Sequence, residues 1–342
     1  MFGRECIWLA GAKGQLGQAI LRKIKEQNAL TVVLTTDKDV DVTDMAEVSR
    51  FAITNHPSVI INCAGITNVD ACEADKVMAY KVNALGARNM AAAARMVDAK
   101  IIHISTDDVF AGDQPVELTE FDVTMPASNY GKSKLAGEMM VRELNPKHLV
   151  IRSSWSYGEG KNFMTQLMEK VDAGEVVEIA SDQVSTPTSM DALAEGILAL
   201  MYGNEYGIYH VSCEGACTRY EFAKKILELT GRDVSMIRPM LAKDIKGDHQ
   251  RPLNSVLENL MMKSTEWKCS ISSLAAALPM PEMPKPATSR CGSLDFAFSI
   301  ASSTLSVFFS LPINPDAIMA SRCRDSIKIS ATSFTSPASI SA

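Results

Sequence analysis

Gly11-Ala12-Lys13-Gly14-Gln15-Leu16-Gly17 lies at the first predicted strand-to-helix junction of this chain. The stretch follows the apolar run Cys6–Ala10 and opens a segment, 16–26, in which apolar residues recur at helical spacing. Closely spaced glycines between a strand and a helix let the backbone turn tightly and approach a pyrophosphate, with the helix N-terminal amides facing the anion. The stretch therefore predicts a dinucleotide site, with an ordinary strand-to-helix turn as the alternative.

Further apolar runs extend the pattern along the first half of the chain. Residues 30–34, 58–62, 101–104 and 149–151 have the character of buried strands, and the Ala-rich stretch 79–97 that of a helix. Strands this apolar need cover on both faces, which a doubly wound parallel sheet provides. We predict an α/β, Rossmann-like doubly wound parallel sheet in residues 1–150, followed by a smaller, mainly substrate-binding domain in residues 151–267.

The last 75 residues differ abruptly from the rest, since residues 268–342 carry 17 Ser, 7 Pro and a single Gly. Three interpretations stay open: a disordered or poorly packed extension, a small appended module, or an out-of-frame translation of the gene's end. The abruptness of the change favours the last. The apolar stretch 296–311 is interrupted by serines and is shorter than the roughly 18 residues of a membrane span.

Charge and cysteine content exclude several classes of function. With 34 Lys and Arg against 40 Asp and Glu, the net charge of −6 argues against a nucleic-acid partner. The 8 cysteines contain no CxxC pair and indicate neither a disulfide framework nor a zinc site. No secretory signal is recognisable before Gly11, so we expect a cytoplasmic protein with no membrane partner. For the oligomeric state we expect either a monomer or a homodimer.

A second group of residues suits proton transfer. Tyr130 and Lys134 stand four residues apart in a helical pattern, so their side chains share a face. An ammonium beside a phenol favours the phenolate, and Lys134 is therefore expected to lower the pKa of Tyr130. Ser105-Thr106 ends the strand 101–104, at the edge where parallel sheets bind ligands. There Thr106 can hydrogen-bond a carbonyl oxygen that Tyr130 protonates.

The choice of nicotinamide cofactor stays open. Asp37, after the second strand, favours NADH, whereas Lys38 suits the 2′-phosphate of NADPH. Mg²⁺ is also left open, because no carboxylate cluster with ligand spacing supports it. Candidates for a local positive field around anionic ligands are Arg152, Lys161 and Arg251.

The glycine loop, Ser105-Thr106-Asp107 and Tyr130-x-x-x-Lys134 together resemble the extended short-chain dehydrogenase/reductases. More narrowly, residues 5–267 resemble the dTDP-4-dehydrorhamnose reductase family. Blocks that carry this resemblance are Asn62-Cys63-Ala64-Gly65, Tyr130-Gly131-Lys132-Ser133-Lys134, Arg152-Ser153-Ser154-Trp155 and Arg251-Pro252-x-Asn254-Ser255.

The resemblance implies NAD(P)H-dependent reduction of the 4-keto group of a dTDP-sugar, most specifically dTDP-4-dehydro-L-rhamnose, on the way to cell-wall polysaccharide. Tyr130 is expected to donate the proton, Lys134 to bind the nicotinamide ribose and tune Tyr130, and Thr106 to orient the keto group. The implied cofactor contacts, besides Tyr130 and Lys134, are Gly11, Gly14, Gln15, Leu16, Gly17, Asp41, Val42, Ala64 and Gly65. The implied substrate contacts are Thr106, Asp107, Trp155, Arg251 and Asn254.

One departure opens an enzymatic alternative. Asp108 follows Thr106-Asp107 where the family commonly has Tyr, and the triplet loosely resembles Thr-Asp-Glu of nucleotide-sugar dehydratases. A dehydratase or epimerase is therefore the first alternative, although the blocks from Trp155 onward favour the reductase. The second alternative is a non-catalytic NADP-binding protein like the regulatory β subunit of methionine adenosyltransferase, against which the intact Thr106, Tyr130 and Lys134 set argues.

Overall fold

The computed structural model describes residues 6–27, 31–114, 116–245 and 251–264, all within one compact unit, Met1–Met283. The strands are β1 (Cys6–Ala10), β2 (Val32–Thr36), β3 (Val59–Asn62), β4 (Lys100–Ile104), β5 (His148–Arg152), β6 (Ser156–Tyr157), β7 (Val177–Ala180), β8 (Val184–Ser185), β9 (Thr188–Ser189), β10 (Gly207–His210), β11 (Cys217–Thr218), β12 (Ile237–Met240) and β13 (Asn254–Ser255). The α-helices are α1 (Gln15–Gln27), α2 (Met45–Asn55), α3 (Val69–Ala74), α4 (Lys76–Tyr80), α5 (Ala87–Met96), α6 (Asn129–Leu144), α7 (Phe163–Asp172), α8 (Met190–Met201) and α9 (Arg219–Leu229).

The main sheet has six strands in the order β10-β5-β4-β3-β1-β2, and every neighbouring pair is parallel. Successive residues of β3 point to opposite faces, so Ile60 and Ile61 enter two different cores. Helices α1 and α8 cover the face of Ile61, and α2 and α5 cover the face of Ile60. The predicted doubly wound parallel sheet is confirmed.

The helix predicted over residues 79–97 is interrupted in the structure. Between α4 and α5, residues Lys81–Gly86 form a π-helical turn. Such turns interrupt α-helices most often near functional sites. Here the turn contains Asn83, whose buried side chain reaches the loop after β3.

The second part of the chain adds three small sheets, in the orders β11-β8-β13, β12-β7 and β6-β9. A separate hydrophobic core includes residues of β6, β7, β11 and β12, with Tyr157, Ile179 and Phe222 among its members. Strand β10, although it lies beyond residue 150, completes the main sheet beside β5. The division at residue 150 stays a prediction, and the Ser-rich segment 268–342 lies outside the described residues.

Among the helices of the described ranges, none combines the length and apolar character that crossing a membrane requires.

Candidate active site

The carboxyl ends of β3 and β4 border a cleft of about 1160 Å³. Open α/β sheets bind ligands at this edge. Residues from the glycine loop, from α6 and from the second part of the chain complete its lining. The predicted site residues that line it are Gly14, Gln15, Leu16, Gly17, Ala64, Gly65, Thr106, Asp107, Tyr130, Lys134, Trp155 and Arg251.

The glycine loop is shaped by close backbone approaches. A Cβ at Gly17 would lie 2.5 Å from the Gly11 carbonyl oxygen and 2.8 Å from Ala12 Cα, so only glycine lets α1 pack on the loop. Gly11, which does not itself line the cleft, has φ of +74° and packs on the backbone of Ala64, where a Cβ would lie 2.7 Å from the nitrogen. The first turn of α1 contains no acidic residue. These features fit an anionic pyrophosphate at the helix N-terminus.

Asp41 and Val42 do not line the cleft. The Asp41 carboxylate accepts a hydrogen bond of 2.8 Å from the Thr43 amide, which lowers the pKa of Asp41. The Val42 side chain packs against Gly86, where an added Cβ would lie 3.0 Å from Val42 Cγ2. The Val42 carbonyl oxygen accepts a hydrogen bond from the Asn89 side chain. Their implied contact with the cofactor stays a prediction.

Asn254 also lies outside the lining. Its side-chain amide donates to the carbonyl oxygens of Gln114 and Val116, at 2.7 and 2.6 Å. The side chain therefore ties two segments of the chain together, and its predicted contact with the substrate stays a prediction.

The Thr, Tyr and Lys set comes together at the end of β4. Ser128 caps α6 by accepting from the Gly131 amide, and Tyr130 and Lys134 lie on the buried face of this helix. The Thr106 side chain offsets part of the rise in the pKa of Tyr130, and the Lys134 ammonium donates to the Ile104 carbonyl oxygen. All three side chains reach the cleft, as the sequence predicts.

The predicted effect of Lys134 on Tyr130 is wrong for the protein's own groups. Burial raises the pKa of Tyr130 well above its ordinary value, and the carboxylates of Asp108 and Asp107 raise it further. Burial also lowers the pKa of Lys134 to about 8. Desolvation outweighs the charge effect because both residues are buried, at 8% and 5% exposed. Tyr130 therefore holds its proton at neutral pH.

Asn83 is a buried link that a helical pattern cannot reveal. Its Oδ1 accepts from the Ile66 amide at 2.8 Å, and its Nδ2 donates to the Ile66 carbonyl and to Ser133 Oγ, each at 3.0 Å. A Cβ at Gly65 would lie 3.0 Å from Asn83 Oδ1. Asn83 thus joins the loop after β3 to α6, next to Lys134.

Sequence reasoning missed the cation above Trp155. The Arg219 guanidinium lies 3.6 Å from the Trp155 ring centroid and 4.7 Å from that of Phe163, in a wall completed by Phe222. Trp155 has φ of +36°, a region that bulky residues rarely adopt. A Thr218-x-x-Glu221 capping box marks the start of α9, but no local signal places Arg219 over an aromatic ring 64 positions earlier.

Six cationic side chains line the cleft, although the chain as a whole has a net charge of −6. The cationic residues of the lining are Lys13, Lys134, Lys161, Lys170, Arg219 and Arg251. Arg152, a predicted member, is instead buried and paired with Glu138. Within the residues that the structure describes, no three His, Cys, Asp or Glu side chains come together as metal ligands would.

Known proteins are similar in sequence to most of this chain. A family model described as the RmlD substrate binding domain matches residues 5–278. A dTDP-4-dehydrorhamnose reductase of Mycobacterium tuberculosis (strain H37Rv) is 35% identical over 296 residues, which cover 82% of this chain and 95% of the relative. The spore coat polysaccharide biosynthesis protein SpsK of Bacillus subtilis is 34% identical over 254 residues, which cover 74% and 89%.

Solved structures agree with these relatives. A dTDP-4-dehydrorhamnose reductase from Clostridium acetobutylicum superimposes with a TM-score of 0.76 at 40% identity and covers 80% of this chain and 98% of its own. The dTDP-4-dehydrorhamnose reductase of Bacillus anthracis, solved in complex with NADP, has a TM-score of 0.76 at 34% identity with the same coverage.

Proposed function

Because the chain belongs to the dTDP-4-dehydrorhamnose reductase family, we propose that it reduces the 4-keto group of a dTDP-sugar with NADPH or NADH. The observation that carries the proposal is that Thr106, Tyr130 and Lys134 line one cleft together with the glycine loop. Proton donor, orienting hydroxyl and anion-binding helix terminus are the groups that such a reduction requires.

The proposed roles follow from protonation states. A carbonyl that accepts hydride needs a proton on its oxygen, and the Tyr130 phenol holds one at neutral pH, since the ordinary pKa of a tyrosine is about 10 and burial raises it. Thr106 donates a hydrogen bond to the same oxygen and fixes its position. In this proposal the ammonium of Lys134, on the next turn of α6, binds the ribose hydroxyls of the cofactor. A reduced nicotinamide supplies the hydride when it is bound.

We propose dTDP-4-dehydro-L-rhamnose as the most specific substrate and dTDP-L-rhamnose as the product. A dTDP-sugar is a polyanion, and a protein with net charge −6 must hold it through local cations. Arg219 on Trp155, with Lys161 and Arg251, offers such cations on one cleft. The aromatic wall suits a flat base or a sugar face.

The test is the oxidation of NADPH by the purified protein in the presence of dTDP-4-dehydro-L-rhamnose, followed by absorbance. A parallel series with NADH measures the cofactor preference. Stoichiometric formation of dTDP-L-rhamnose is expected. Binding of NADPH without its oxidation contradicts the proposal and favours the non-catalytic alternative. Loss of water from a dTDP-sugar without net consumption of NADPH favours the dehydratase, the alternative to which buried Asp108 points.

We propose further that the protein acts in the cytoplasm as a monomer or homodimer, without nucleic-acid partners. Support comes from the acidic net charge and from the proposed soluble substrate. Light scattering after size-exclusion chromatography measures the oligomeric state directly.

A further inference from the structure

A buried ion pair adjoins the Thr106, Tyr130 and Lys134 set but has no part in the proposed reaction. Arg152, the last residue of β5, donates from Nε to Glu138 Oε1 at 3.0 Å and from Nη2 to Glu138 Oε2 at 2.7 Å. The Arg152 and Glu138 side chains are 2% and 0% exposed.

Glu138 connects this pair to the residue beside Thr106. Ser105 Oγ donates to Glu138 Oε1, the oxygen that also accepts from Arg152 Nε. The Ser105 amide donates in turn to the Ile151 carbonyl at 2.6 Å. The end of β4, where Thr106 begins the cleft lining, is thus bonded both to β5 and to the Glu138 carboxylate.

The same carboxylate belongs to the helix that carries the other two reactive side chains. Tyr130, Lys134 and Glu138 follow each other at intervals of four residues on α6, and all three are buried. Residues at this spacing share one helix face. Tyr130 and Lys134 lie on α6, whereas Thr106 follows β4. Two side chains of α6 bond to the end of β4: Lys134, which donates to the Ile104 carbonyl, and Glu138, which accepts from Ser105, the residue next to Thr106.

Overall stability does not explain why the pair is there. Taking two charges out of water is costly, and replacing a buried ion pair by apolar residues of similar volume is often neutral or stabilising. A bidentate pair at full burial is better explained by a requirement for geometry or charge at this place.

We propose that Glu138 and Arg152 are positioning residues: the pair holds Thr106 in register with Tyr130 and keeps a negative charge one turn from the Lys134 ammonium. The inference rests on the proposed reductase function.

Lys134 needs such a charge because its surroundings disfavour an ammonium. Burial lowers its pKa to about 8, and Glu138 is the foremost group that raises it. Among the groups that face it, burial raises the pKa of Cys63 to about 12 and lowers that of His103, so both are neutral at neutral pH. The titratable groups facing Lys134 are Tyr130 and Glu138 on α6, Cys63 after β3, Cys72 on α3 and His103 on β4.

The decisive variant removes both charges together, as Glu138→Leu/Arg152→Met. We expect its Tm to equal or exceed that of the wild type, because no unpaired buried charge remains. We expect kcat to fall at least ~10-fold at nearly unchanged KM, since small displacements of reacting groups are costly. We also expect a change in the alkaline limit of NADPH binding, by which we mean the pH above which binding is lost. Followed by fluorescence, this limit should move to lower pH.

Two further variants separate the contributions. Ser105→Ala breaks only the link to Thr106, so kcat is expected to fall while the alkaline limit stays in place. Asp172→Asn/Arg232→Met removes another bidentate pair, with bonds of 2.8 and 2.7 Å on the exposed surface, and is expected to change neither quantity.

The inference is overturned if Glu138→Leu/Arg152→Met, the charge-free variant, folds and keeps both the wild-type kcat and the wild-type alkaline limit of NADPH binding. If that variant does not fold, an unchanged kcat in Ser105→Ala overturns it. If the wild-type protein binds NADPH but reduces no dTDP-sugar, the proposed function fails. The pH dependence of NADPH binding in the charge-free variant then still decides the part that concerns Lys134.

Discussion

Tyr130 loses its only proton-donating group when its hydroxyl is removed, and the rest of the ring stays in place. We predict that Tyr130→Phe lowers kcat by at least ~100-fold, the low end for general acid catalysis, with NADPH affinity nearly intact. Steady-state kinetics and a binding titration measure the two effects. Tyr80→Phe, on the half-exposed surface of α4, is the matched control and should keep full activity. Near-normal turnover of Tyr130→Phe would contradict the assignment.

The reactive residues are predictable from sequence to the extent that their spacing is local. Tyr130 and Lys134 lie four apart, and Thr106 follows a recognisable strand, so all three can be found. The effect of Lys134 on Tyr130 cannot, because the depth of burial decides the sign of the pKa change. Arg219 is hidden for a related reason, since only tertiary packing brings it over Trp155.

Among the elements, the junction of β1 and α1 offers the sharpest test. We predict that Gly17→Ala lowers the free energy of unfolding, because its Cβ would lie 2.5 Å from a backbone oxygen that cannot move without the loop. Gly14→Ala is the matched control, since its Cβ would meet one atom, at 3.2 Å. Chemical denaturation without cofactor compares the two. Equal stability of both variants would show that α1 relaxes freely.

Element boundaries follow the apolar runs closely, with the predicted strand 30–34 displaced to Val32–Thr36. The π-helical turn at Lys81–Gly86 escapes prediction because Asn83 bonds to Ile66 and Ser133, 17 and 50 positions away. Alanine content describes the helix propensity of such a segment but contains no information about these distant partners.

In the molecule as a whole, buried histidines make the folded state less stable as the pH decreases. His210 is the last residue of β10 and is fully buried. Its backbone amide donates a hydrogen bond of 2.9 Å to the Glu120 carboxylate. Its Nδ1 lies 3.1 Å from the Glu258 carbonyl, so the ring connects the main sheet with the last described segment. Burial, aided by the charge of Arg152, lowers the pKa of His210 to about 3.

The sign of the resulting pH dependence follows from proton binding. Between pH values of about 6.5 and about 3, the unfolded chain binds a proton at His210 that the folded chain does not, so stability falls as pH decreases. We predict that His210→Asn removes about 2 kcal/mol of the stability difference between about pH 7 and about pH 5, measured by urea denaturation. His56→Asn, at an exposed left-handed position, should leave that difference unchanged. An identical pH dependence in His210→Asn and wild type would mean that the buried ring already takes up the proton when folded.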